Sequence, residues 1–90
     1  MKVTQAGLYV VIGAISDVTI VYHTDTEDYR VNVYLHPEFS ENSPNIGTEL
    51  QGVCGTVRTW VDLGRAYSFV RNLGWLNPIV LETIEIIEEP

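Results

Sequence analysis

The chain has 90 residues, with twelve Asp and Glu against five Lys and Arg, a formal net charge of −7, and 46% hydrophobic side chains. A chain this short holds one core rather than two, so residues 1–90 read as a single domain with little room for an elaborate active site. The acid excess argues against direct contact with nucleic acid or an anionic membrane surface. Both are bound through clustered basic side chains, and here one Lys and four Arg are scattered along the sequence.

Lys2, the apolar run at 6–15 and Ala14-Ile15-Ser16 have the outline of a short secretory signal. A single lysine is a weak basic region, however, and the run is too short to span a bilayer. Leu8, Tyr9, Val10, Val11, Ile12 and Ile15 are mostly β-branched or aromatic without polar alternation, so residues 7–15 read as a strand apolar on both faces. Val18, Ile20 and Tyr22 then alternate with Thr19, Val21 and His23. After five polar residues at 24–28, Val31, Val33 and Leu35 alternate with Arg30, Asn32, Tyr34 and His36. Two period-two runs joined in this way predict a hairpin.

Residues 37–47 are rich in Pro, Asn, Ser and Gly and read as a loop, long for so small a domain. Residues 48–60 return to extended composition, bent at Gly52 and Gly55 around Cys54. A helix is expected from Asp62, its N-cap, with Val61 stapled against Ala66. Leu63, Ala66, Tyr67, Val70 and Leu73 form its apolar face, and Gly74 ends it so that Trp75 folds back toward Val70. The β-branched load of residues 79–87 favours a final strand over a second helix, with a bulge near Thr83. The expected class is α+β: a mainly antiparallel four- to five-stranded sheet with one α-helix packed on one face, in the order β-β-β-β-α-β.

Cys54 is the only cysteine, which excludes an intrachain disulfide and points to a reducing cytoplasm. As a nucleophile it lacks a positioned base. His23 and His36 run apart along the hairpin and have no further ligands at zinc spacing. Asp25, Glu27 and Asp28 lack the glycine and closing glutamate of a calcium loop, and Gly52-Val53-Cys54-Gly55 lacks the lysine of a phosphate loop. The sequence therefore reads as no enzyme, with no catalytic residues, no cofactor and no metal.

What remains is surface. One short helix covers one side of a sheet, so the opposite side is either wet or paired with another chain, and a contiguous patch there carrying Tyr and Arg marks an interface. Carboxylates gather at the hairpin tip, on the long loop and along the final segment. They serve solubility and also suit a partner with a basic surface. The expected partner-binding residues are Asp25, Glu27, Asp28, Arg30, Tyr34, His36, Glu38, Glu41, Glu82 and Glu85, and a homodimer through the open sheet face is a second possibility.

Residues 57–75 form a strand-then-helix unit, Val57-Arg58-Thr59-Trp60-Val61-Asp62-Leu63-Gly64-Arg65-Ala66 followed by Tyr67-Ser68-Phe69-Val70-Arg71-Asn72-Leu73-Gly74-Trp75. This looks like the ending common in small phage and plasmid accessory proteins. With its size, acidity and lack of catalytic groups, the chain resembles the anti-CRISPR proteins, inhibitors of bacterial defence encoded by mobile elements. That resemblance implies a non-enzymatic inhibitor in the host bacterial cytoplasm. It would bind a CRISPR-Cas effector subunit by protein–protein contact, at a basic nucleic-acid path, and block target DNA binding or nuclease recruitment. These families share no common motif, so no site residue is carried over. The alternative expectation is a small cytoplasmic accessory or regulatory protein.

Overall fold

A computed structural model describes residues 1–39, 47–52 and 55–84. The elements run α1 (Val3–Val11), β1 (Ile15–His23), β2 (Asp28–Leu35), a 3-10 turn (Pro37–Phe39), β3 (Thr48–Glu49), α2 (Leu63–Asn72) and β4 (Val80–Ile84). The sheet order is β3-β2-β1-β4. β1 pairs antiparallel with β2 and parallel with β4. The class is α+β, as expected, but among the described residues the sheet is mixed and four-stranded, with two α-helices.

The misread element is α1. Its apolar residues lie on all sides, which mimics a doubly buried strand. Only Ala6 is fully buried, Tyr9 and Val10 are half-buried one turn on, and Leu8, Val11 and Ile12 face solvent. An alanine at the point of closest approach lets the helix lie on the sheet. Gly13, at φ +72°, turns the chain out of the helix into β1, a conformation that suits glycine.

The hairpin forms as the alternation requires. Val18 faces Val33, Ile20 faces Val31 and Tyr22 faces Tyr29, all on the helix-covered side. Ser16 is bulged out of the register between Ile15 and Asp17. This phase shift is why Ile15 and Val18, three residues apart, both point inward. The turn takes Thr24 to Glu27, and Asp28 already belongs to β2.

The core joins Ala6, Ile15, Val18, Ile20, Val31, Val33, Leu50, Trp60, Ala66, Val70 and Trp75. Phe69 leans on Trp60 at a centroid distance of 5.0 Å, and the Arg58 guanidinium lies over both rings. Helix α2 follows the sequence expectation closely. The Asp62 carboxylate accepts from the Gly64 N–H at 2.6 Å and the Arg65 N–H at 3.3 Å, satisfying two of the free N–H groups that open a helix. Gly74, at φ +101°, ends it. The staple does not form, since Val61 is 88% exposed.

The segment expected to be extended at 48–60 contributes β3, Leu50 and single bridges from Gln51 to Lys2 and Val57 and from Trp60 to Tyr29. Its bend is there: the Gly52 N–H donates to Thr56 O, and Gly55 has φ +76°. Cys54 itself lies outside the described residues. The bulge expected near Thr83 is absent, because β4 keeps one unbroken register with β1 from Val80 to Ile84. Residues 85–87 of the expected strand lie outside the described residues.

Candidate functional site: the open face of the sheet

The pairing registers determine which side chains share the face turned away from the helices. Across it run the rows Glu49–Asn32–Thr19–Val80, then Arg30–Val21–Glu82, then Asp28–His23–Ile84, with Asp17 beside Tyr34 at the far end. Thr19 and Val21 are buried although no helix covers them. They sit on the central strand, and Val21 lies between Arg30 and Glu82, whose longer side chains flank it. The face is thus a polar surface over a small apolar floor.

Arg30 organises its upper part. Nε donates to Asp28 Oδ1 at 3.1 Å, Nη2 donates to Thr26 Oγ1 at 3.4 Å, and Nη1 lies 3.9 Å from Glu49 Oε2. One guanidinium therefore links the hairpin turn, β2 and β3. Glu49 Oε2 and Asn32 Oδ1, opposite one another in the register, are shut away from solvent without a hydrogen bond among the described residues.

Tyr34, expected as a partner contact, braces the chain returning from the long loop. A methyl group placed on Gly47 would lie 2.7 Å from Tyr34 Cζ, so a larger residue there requires the ring to move. Ser16 Oγ donates to the Tyr34 carbonyl at 3.2 Å. Asp28, Arg30 and Glu82 share the open face with Tyr34, and Asp25 and Glu27 crown the same sheet at the hairpin turn. His36 and Glu38 are exposed beyond the other end of β2. They lie roughly 25 Å from the turn at a strand's rise per residue, so the expected residues divide between two ends of the sheet. Glu41 and Glu85 lie outside the described residues.

Sequence reasoning had no means of finding the Asn32–Glu49 pairing, which depends on how β3 returns to β2. Asp17 was missed because the alternation was started at Val18, although the strand continues back through it to Ile15. Among the described residues no cluster of His, Cys, Asp or Glu is placed to hold a metal ion, and no helix is long and apolar enough to cross a membrane.

The basic residues lie elsewhere. Arg58 and Arg65 border a groove with Trp60 and Phe69 on the helix side, Lys2 opens α1, and Arg71 belongs to α2. Of the five Lys and Arg, Arg30 alone is on the open face, so among the described residues the carboxylates gather on the open side and the cations on the helix side.

No family model, no curated protein and no solved structure matches this chain.

Proposed function

We propose that this chain is a non-enzymatic binding protein whose open sheet face docks on a basic surface of a partner protein, and that the partner is a subunit of a CRISPR-Cas effector. The observation that supports docking is the segregation of charge. Asp17, Asp28, Glu49 and Glu82 share one face, with Asp25 and Glu27 above it, and the single cation there is tied to Asp28 and Thr26. Such a field speeds encounter with a positive surface and competes with nucleic acid for it. The same charge opposes face-to-face self-association, because two copies would bring like charges together.

The choice of a CRISPR effector rests on the resemblance in size, acidity and lack of catalytic groups. Its test is co-elution with purified effector complexes, with and without target DNA, followed by a target-binding assay. The chain should co-elute and reduce DNA binding. Asp25→Lys with Glu27→Lys should slow association by about tenfold at low salt, with the difference shrinking as salt rises. Absence of co-elution with every effector tried would remove the choice of partner. Binding indifferent to both substitutions and to salt would remove the docking face.

A further inference from the structure

The two edges of the sheet differ. Beyond β2 the edge is closed by β3, by the reciprocal Tyr29–Trp60 hydrogen bonds at 2.7 and 2.9 Å, and by the Leu50 N–H donating to Val31 O. Beyond β4 no strand pairs among the described residues. Natural edges are usually blunted by shortness, charged side chains, proline or a bulge. Residues 80–84 are a short strand with one charge, Glu82, but hold no proline and no lysine and keep an unbroken register.

The direction of the free backbone groups follows from one bond. The Thr24 N–H donates to Ile84 O, and in a parallel ladder the residue that accepts this way directs both its N–H and its C=O at the neighbouring strand. Val80, Glu82 and Ile84 therefore face β1, whereas Leu81 and Thr83 hold their N–H and C=O groups outward.

Beside this edge, a groove separates α2 from β4 on the helix side of the sheet. Leu63 and Tyr67 belong to the helix's apolar stripe, yet they are 37% and 46% exposed, and Leu81 is 55% exposed. With Ile20, Gly64 and Ile79 they line an apolar groove of about 380 Å³. A further strand beside β4 would place every second side chain on the helix side, next to Leu81 at the mouth of this groove. Its remaining side chains would stand on the open face beside Val80, Glu82 and Ile84, with Glu82 the charged one.

From this we infer that β4 accepts an extended segment of another protein as a fifth strand, one that alternates apolar residues with Lys or Arg. The outward groups of Leu81 and Thr83 supply the backbone hydrogen bonds, the groove takes the apolar side chains, and Glu82 selects a basic one opposite it. The proposal concerns the edge and stands apart from docking on the open face, which the substitutions at Asp25 and Glu27 address.

The probe is a short acetylated peptide alternating Leu with Lys, titrated against the intact chain by fluorescence anisotropy. Two control peptides have the same composition in block order, or Glu in place of Lys. The alternating peptide should bind, and both controls should bind at least about tenfold more weakly. Thr83→Pro removes one outward N–H and leaves the β1 ladder intact, so it should lower affinity by about tenfold without unfolding the protein. Leu63→Gln, in the groove and away from the ladder, should weaken binding by several-fold and covers the case in which the proline variant fails to fold. Equal binding of the block peptide would reduce the effect to charge attraction and overturn strand addition, as would unchanged binding by both variants. A dimer of the chain alone, seen by sedimentation and abolished by Thr83→Pro, would make a second copy the occupant and overturn the assignment of a basic partner segment.

Discussion

Replacing Arg71 with Met tests how the crossover from α2 to β4 is held. The Arg71 Nη1 donates to the carbonyls of Trp75 at 2.9 Å and Asn77 at 2.8 Å, Nε donates to Tyr67 Oη at 3.0 Å, and the guanidinium lies 4.9 Å from the Tyr67 ring centroid. Charge-assisted bonds contribute about 1.5–3 kcal/mol when buried. Here the Trp75 carbonyl is half-buried, whereas the contacts to Asn77 and Tyr67 are solvated and contribute much less. Together they amount to roughly 2 kcal/mol, which for a domain of this size lowers the melting temperature by about 10 °C. Arg71→Lys keeps the charge but loses the fork and the stacking, so it should fall near half that loss. Urea unfolding should show a lower midpoint with an unchanged slope. Amide exchange should accelerate at the inward N–H groups of Val80, Glu82 and Ile84 before it does in the hairpin. A Met variant within about 0.5 kcal/mol of the parent, the scatter of ordinary surface substitutions, would refute the clamp.

Asp62→Ala should cost about 1 kcal/mol by removing the helix cap and Asp62→Asn much less, as measured by thermal melts; equal losses would point to charge rather than capping. Gly47→Ala drives a methyl group into the Tyr34 ring and should destabilise by about 1–2 kcal/mol, with a double-mutant cycle against Tyr34→Ser showing coupling between the sites. Burial lowers the pKa of the Met1 amine below 8.0, an effect opposed in part by the nearby Glu49 charge. A lowered cationic pKa means that the folded state releases its proton first. The resulting stability is complete above pH 8.0 and is lost as pH falls through the folded value. In the chain with a free Met1 amine, melting temperature should therefore rise as pH approaches 8.0 from below, and acetylation should abolish that slope.

The hairpin and α2 were legible because each carries local information. Strict alternation specifies one, and Asp62, an apolar stripe and Gly74 specify the other. Helix α1 was not legible, since Tyr9, Val10, Val11 and Ile12 favour a strand by composition, and the packing of Ala6 against the core overrides that preference. The available clue was Gly13, placed where a helix stops. The parallel sense of β4 depends on where α2 returns the chain, and no residue within 79–87 encodes it. The acidic open face was half legible. The alternation put Arg30, Asn32 and Tyr34 together, whereas Asp17 and Asp28 lie just outside the two runs as read from the sequence and Glu49 and Glu82 joined them only through non-local pairings.

The parallel pairing of β4 with β1 also bears on how the chain folds. Thr24 bonds to Ile84 across sixty residues, whereas the β1–β2 hairpin closes through a four-residue turn. Loop-closure entropy delays such distant contacts, so β4 docks late on a sheet already begun by the hairpin. Until it does, the nine-residue β1 exposes one whole edge, rich in Val and Ile, and its pairing groups are open to any other extended chain. The interval before β4 arrives is the protein's window of exposure to aggregation. Substitutions that loosen the α2 crossover should lengthen that window and lower soluble yield at high expression, even where the folded state survives.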